Sequence, residues 1–263
     1  MTTAAWDALP QGIRRVARTT AIGDVPCLLI PAESSTPHRK APLLVWMHGR
    51  TANKELDPGR YLRVMRSGIN ICAVDLPGHG ERYEDDMDAP ARVVDIVLQM
   101  SAEIDTVTLG ALDALQADAG NVAIGGMSAG GMAAIHRLCS VHQFKAAVLE
   151  ATTGDWSNLA SWSHLDDAAR TRATQADPMR QIATWRPIPV CAVHSRGDQW
   201  IPFAGQQRFF EQLRMRGGDI HLHAFQDTGA PHEHVGFGRY AAQVKELERD
   251  FLARTLGVEN MVS

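Results

Sequence analysis

The chain has 263 residues, of which 45% are hydrophobic and 21% charged, with a formal net charge of −4. That length holds one large domain with a substantial core or two small ones, one domain being preferred, and that charge gives no footprint for nucleic acid or for an anionic membrane. Residues 1–10 carry neither a basic nor an apolar leader pattern, and no apolar run approaches a membrane span, so a cytoplasmic protein acting on a small molecule is expected.

Strand-like apolar runs alternate with helical patterns along the chain. A strand is predicted at 25–30 and another at 43–47. A helix over 61–66 ends at Gly68, a C-cap residue, and leads to a strand at 71–74. The long helical pattern over 93–115 stops before Asp118 and Gly120. Next comes a strand at 122–124, followed by Met132, Ala133, Ile135 and Leu138 at helical spacing. Strands at 146–149 and 190–193 precede a helix over 203–216 that closes on Gly217 and Gly218. After a strand at 220–224, Tyr240, Val244, Leu247 and Phe251 put one apolar face on a final helix. Most of the strands are continuous apolar runs, the pattern of a parallel sheet covered on both faces.

The stretch 152–186 differs in composition, holding Trp156, Trp162 and Trp185 among polar residues between two strands. It is read as a lid of short helices over a site. The alternative is a crossover whose tryptophans cover the sheet. Cys27, Cys72, Cys139 and Cys191 lie far apart in apolar surroundings and are read as buried free thiols. Neither His221-Leu222-His223 nor His232-Glu233-His234 has zinc-helix spacing, so neither a metal nor a cofactor is expected.

Gly126-Met127-Ser128-Ala129-Gly130 is a G-x-S-x-G pentad between a predicted strand and a predicted helix, the layout of a nucleophile elbow. A serine hydroxyl needs a base, and the base needs an orienting carboxylate. Asp198 stands in a turn after the strand at 190–193, at the same end of the sheet as Ser128. His232 follows the next strand, in the chain order Ser, Asp, His. His234, two residues on, is its competitor; His232 is preferred because the Gly-x-x-His approach ends on it. His48, His79 and His194 are read as structural. Two backbone amides are expected to face the oxyanion. One is that of Ala129, and the other that of Arg50 in the loop His48-Gly49-Arg50-Thr51, with Thr51 in reserve.

These residues resemble the α/β-hydrolase superfamily, and within it the small serine esterases of the prolyl-oligopeptidase and dienelactone-hydrolase branch. The resemblance rests on five segments in order. They are L-L-V-W-M-H-G at 43–49, D-L-P-G-H-G at 75–80, G-M-S-A-G-G at 126–131, the Asp198 turn with Ile201-Pro202, and G-A-P-H at 229–232. It implies a single α/β domain over 1–263, a mostly parallel doubly wound sheet of about eight strands with helices on both faces, and a small helical lid. It also implies Ser128, Asp198 and His232 as the triad, the amides of Arg50 and Ala129 as the oxyanion hole, and the segment 75–80 as a structural loop. Dienelactone-hydrolase relatives carry cysteine where this chain has Ser128, and dehalogenase relatives aspartate, which disfavours both chemistries.

The expected activity is hydrolysis of a small carboxylic ester through an acyl-enzyme, by a monomer or homodimer. Thioester, deacetylase or aminopeptidase chemistry with the same triad is the alternative, and a noncatalytic binding protein on the same scaffold is the more distant one.

Overall fold

The computed structural model describes residues 3–33, 39–87, 89–157 and 159–258. Over these, β1 (Arg18–Ile22), β2 (Val25–Ile30), β3 (Leu43–Met47), β4 (Asn70–Val74), β5 (Val122–Met127), β6 (Ala146–Glu150), β7 (Val190–Ser195) and β8 (Ile220–Phe225) form one sheet. Its strand order is β1-β2-β4-β3-β5-β6-β7-β8. The pairs β1 with β2 and β2 with β4 are antiparallel, and every other pair is parallel. β3, β4 and β6 are buried at every position, as their mostly apolar sequences require of strands covered on both faces.

β1 has no counterpart among the predicted strands. Its sequence, Arg-Thr-Thr-Ala-Ile, lies at the sheet edge and is largely exposed, so it carries no apolar run. Pairing makes it a strand: Ile22 stands opposite Val25, and the two-residue turn between them begins at Gly23 with φ +58°. Glycine at the first turn position suits a type II′ hairpin.

The helices are α1 (Thr3–Asp7), α2 (Gln11–Arg14), α3 (Pro58–Arg66), α4 (Val93–Ala114), α5 (Ala129–Leu138), α6 (Asp167–Ala176), α7 (Pro178–Gln181), α8 (Phe203–Met215) and α9 (Ala241–Thr255). α3 starts three residues before its predicted bound, because Asp57 caps the Arg60 amide and Pro58 occupies the first turn. Gly68 ends it at φ +84°, where a side chain is disfavoured. On one face of the sheet, α4, α5 and α8 bury Val97, Met100, Ile104, Ile135, Phe209 and Phe210. On the other, α3 and α9 bury Tyr61, Val64, Met65, Phe251 and Leu252. Among the described residues no helix is long and apolar enough to cross a membrane. All four cysteines are free and buried.

The tryptophans of 152–186 belong to the first of these cores. Trp156 is fully buried and stacks on His136 of α5, Trp185 meets Phe209 of α8 edge-on, and Trp162 packs against the same cluster. The side chains that suggested a lid sit in this core cluster; residue 158 of this stretch lies outside the described residues.

Candidate active site

β5 runs into α5 through Ser128, whose backbone is held at φ 52° and ψ −120°. A non-glycine residue in that region is strained and persists only where its surroundings fix it. Here the Ser128 amide donates to the Glu150 carbonyl at 2.9 Å, and the Ser128 carbonyl accepts from the Met132 amide at 2.9 Å and the Thr152 hydroxyl at 2.8 Å. The flanking glycines are needed for contact. A Cβ on Gly130 would lie 2.4 Å from the Met47 carbonyl oxygen, and one on Gly126 would lie 2.5 Å from the Gly130 carbonyl carbon. α5 can thus begin directly against the end of β3, with the serine hydroxyl above the sheet.

Asp198 lies in the turn after β7. Its Oδ1 accepts from the amides of Trp200 and Ile201, each at 2.9 Å, and its Oδ2 lies 2.7 Å from Nδ1 of His234. Nε2 of His234 lies 2.9 Å from Ser128 Oγ. Buried His194 donates through Nε2 to the Ile201 carbonyl at 2.8 Å, and the same nitrogen stands 3.3 Å from Asp198 Oδ2. Burial pushes the Asp198 carboxyl up, but hydrogen bonds from His194 and His234 prevail and hold it at about 2. The group facing His234 is a carboxylate at any ordinary pH.

The preference for His232 is corrected by this geometry. His232 is exposed and stacks on Trp200, with ring centroids 5.7 Å apart. The reason is local. Between the two histidines, Glu233 accepts from the Thr228 amide and hydroxyl, each at 2.9 Å, and from the Ser195 hydroxyl. The Val235 amide donates to the His232 carbonyl at 2.9 Å, closing a turn that leaves His232 outside and His234 buried against the serine. Sequence reasoning passed over Glu233 and Thr228. The available signal was an acidic residue between two histidines in a loop, with a threonine five residues before it.

The loop after β3 lies beside the elbow: a Cβ on Gly49 would stand 3.3 Å from Ser128 Cβ. Arg50 follows Gly49 in this loop. Ala129 is the first residue of α5, where an amide has no acceptor within the helix. Thr51, the reserve, has φ 61°. His48 braces the loop, its Nδ1 donating to the Gly49 carbonyl at 2.6 Å and its Nε2 accepting from the Leu76 amide at 3.1 Å. Burial lowers its pKa to about 4, which keeps Nε2 free to accept. Asp75 in the 75–80 loop binds the Lys54 amide at 2.8 Å and the Lys54 ammonium at 2.9 Å, as a structural loop should.

A cleft of about 220 Å³ reaches the elbow at Met127, the residue before Ser128. Gly49, Met127 and Val235 line it near the elbow, and Trp46, Leu56, Tyr61, Phe237 and Val244 give it a mainly apolar wall. Arg60 also lines it, with its guanidinium 3.9 Å from the Trp46 ring and bonded to Glu150 at 2.7 Å.

Residues 64–259 match the prolyl oligopeptidase family, Peptidase_S9. The chain belongs to that family. It is a family of serine hydrolases on the α/β-hydrolase fold, in agreement with the expected enzyme class and architecture. The matched span takes in Ser128, Asp198 and His234. Among solved structures, the chain is similar to Pyrococcus horikoshii acylaminoacyl peptidase, with TM-score 0.75 and 19% identity over 94% of this chain and 42% of that one. It thus spans less than half of that peptidase. TT1662 from Thermus thermophilus gives TM-score 0.74 and 20% identity over 92% of this chain and 99% of that one. Thermogutta terrifontis esterase 2, in a structure phosphonylated by sarin, gives TM-score 0.68 and 19% identity over 90% and 94%. At these identities the likeness is one of fold. No curated protein matches the sequence.

Proposed function

We propose that this serine hydrolase cleaves small carboxylic esters through an acyl-enzyme, with Ser128, His234 and Asp198 as its triad. The observation that carries the reading is the continuous hydrogen-bonded path from Ser128 Oγ to His234 Nε2, 2.9 Å, and from His234 Nδ1 to Asp198 Oδ2, 2.7 Å. Ser128 Oγ attacks the carbonyl carbon while its proton passes to His234 Nε2. His234 then returns the proton to the leaving oxygen as the carbonyl–oxygen bond breaks. Asp198 holds the imidazole in the required tautomer and stabilises its charged form. Water, activated by the same histidine, releases the acid and restores Ser128. The amides of Arg50 and Ala129 receive the oxyanion, and the cleft beside Met127 takes the acyl group.

Peptide-bond cleavage is the second reading, favoured by the family match and by the likeness to an acylaminoacyl peptidase. A panel of aryl esters from acetyl to decanoyl, run beside the matching anilides, separates the two by kcat/KM. Ester turnover and labelling of Ser128 by a fluorophosphonate are expected, with Ser128→Ala lowering kcat by about a million-fold. Near-full esterase activity in Ser128→Ala would overturn the assignment, and a preference for anilides would favour the peptidase reading.

A further inference from the structure

Trp200 is a large aromatic side chain left 54% exposed, and it stands beside the reacting centre. Its ring centroid is 5.0 Å from that of His234 and 5.7 Å from that of His232, with the Trp200 and His232 planes 28° apart. Its backbone amide is bonded to Asp198 Oδ1 at 2.9 Å, so the indole is carried on the same turn as the carboxylate that orients His234. Exposed apolar area is unfavourable in water and usually has a use where it gathers at a site. Leu56 and Val235, both exposed, also lie at this site, on the cleft side.

We infer that Trp200 and His232 form an aromatic platform that receives the leaving group, and that the substrates are esters with a planar aromatic group on the alcohol side. This rests on the reading of Ser128 and His234 as nucleophile and base. The side is set by proton transfer. His234 Nε2, having taken the Ser128 proton, must deliver it to the leaving oxygen, so that oxygen sits next to the imidazole. The next atoms of the alcohol then pass the ring nearest His234 on its exposed flank, which is Trp200. The cleft lined by Gly49, Met127 and Val235 is left for the acyl group. A rigid ring loses little freedom on binding, and offset or edge-to-face contact between rings adds to the gain from burying apolar area. His232, paired ring to ring with Trp200, extends the surface outward.

The experiment compares benzyl and cyclohexylmethyl esters of one acyl group, whose alcohols are of similar size and basicity, in the wild type and in Trp200→Leu, Trp200→Phe and His232→Leu. In the wild type kcat/KM is expected to favour benzyl by about three- to tenfold. Trp200→Leu brings the ratio to about one, Trp200→Phe keeps most of it, and His232→Leu lowers it partway. A wild-type ratio near one overturns the platform. So does a Trp200→Leu variant that slows both esters equally, since that is the mark of a structural role only. If no ester is turned over and a fluorophosphonate does not label Ser128, the hydrolase reading fails, and the platform with it.

Discussion

The Thr228 hydroxyl donates to Glu233 at 2.9 Å, and this bond helps decide which neighbour of Glu233 meets Ser128. The same carboxylate accepts from Ser195, on the strand that leads to Asp198, so it ties the loop of His234 to the loop of Asp198. The bond from Ser195, with those from Thr228, holds the Glu233 carboxyl below the usual range and keeps it ionised as an acceptor.

Glu233→Ala is therefore expected to lower kcat by about a hundredfold with little change in KM, because it loosens the placement of His234 rather than removing it. Glu233→Gln should recover part of that loss. Its amide oxygen still accepts from Thr228, whereas its NH2 cannot accept from Ser195. Steady-state kinetics on a reactive aryl ester checks both variants, and full kcat in Glu233→Ala would remove Glu233 from the account.

The two histidines should separate cleanly. His234→Ala is expected to cost kcat about as much as loss of the serine, on the order of a million-fold, since members of a triad act as a unit. His232→Ala should cost less than about tenfold, as expected of a residue that touches the leaving group at its edge. The reverse result in parallel kinetics would restore His232 as the base.

The central strands, the main helices and the elbow were legible in the sequence because each follows from a local rule. Continuous apolar runs become strands covered on both faces, and a G-x-S-x-G pentad between strand and helix becomes the turn that presents Ser128. The choice between His232 and His234 was not legible. It depends on Glu233 finding Thr228 and Ser195, and Ser195 lies 38 residues away in sequence. β1 was missed for a similar reason, since an exposed edge strand is defined by its partner rather than by its own pattern. The tryptophans of 152–186 were conspicuous by composition, but composition does not reveal whether an indole covers a site or fills a core. Trp156 and Trp185 fill the core against α5 and α8.

The floor of the cleft offers a stability test. Buried Arg60 bonds Glu150, Glu248 and Asp57. Burial raises the Glu248 carboxyl well above its usual value, and although Arg60 pulls it down, the neighbouring Glu150 adds to the rise. Three carboxylates thus share one guanidinium, and burial favours the protonated form of Glu248. Glu248→Gln copies that protonated form and should leave Tm within about 3 °C of the wild type. Arg60→Met strands Glu150 and should cost about 3–5 kcal/mol, lowering Tm on the order of 10 °C in a thermal scan. A Glu248→Gln variant as unstable as Arg60→Met would mean that Glu248 is ionised in the folded protein.

Acid should weaken the fold before it reaches the Asp198 carboxylate. Burial lowers His48 to about 4, and burial, with Arg186 and Arg137 nearby, lowers His142 to about 4. In the unfolded chain each titrates near its usual value of about 6.5. As pH falls from about 6.5 to about 4, the unfolded state takes up these protons while the folded state resists them. The contribution of these histidines to stability is therefore complete above about 6.5 and is lost progressively across that window, whereas Asp198, at about 2, stays ionised throughout it. His142→Gln removes one of the histidines that burial lowers, among which are also His136 and His223, and should flatten part of the decline in Tm between about pH 7 and about pH 5. His48 supplies a further part, because its protonation ends the acceptance of the Leu76 amide by Nε2 and frees the loop that carries Gly49 and Arg50. A wild-type Tm that does not change over this range would show that neither histidine is held neutral by burial.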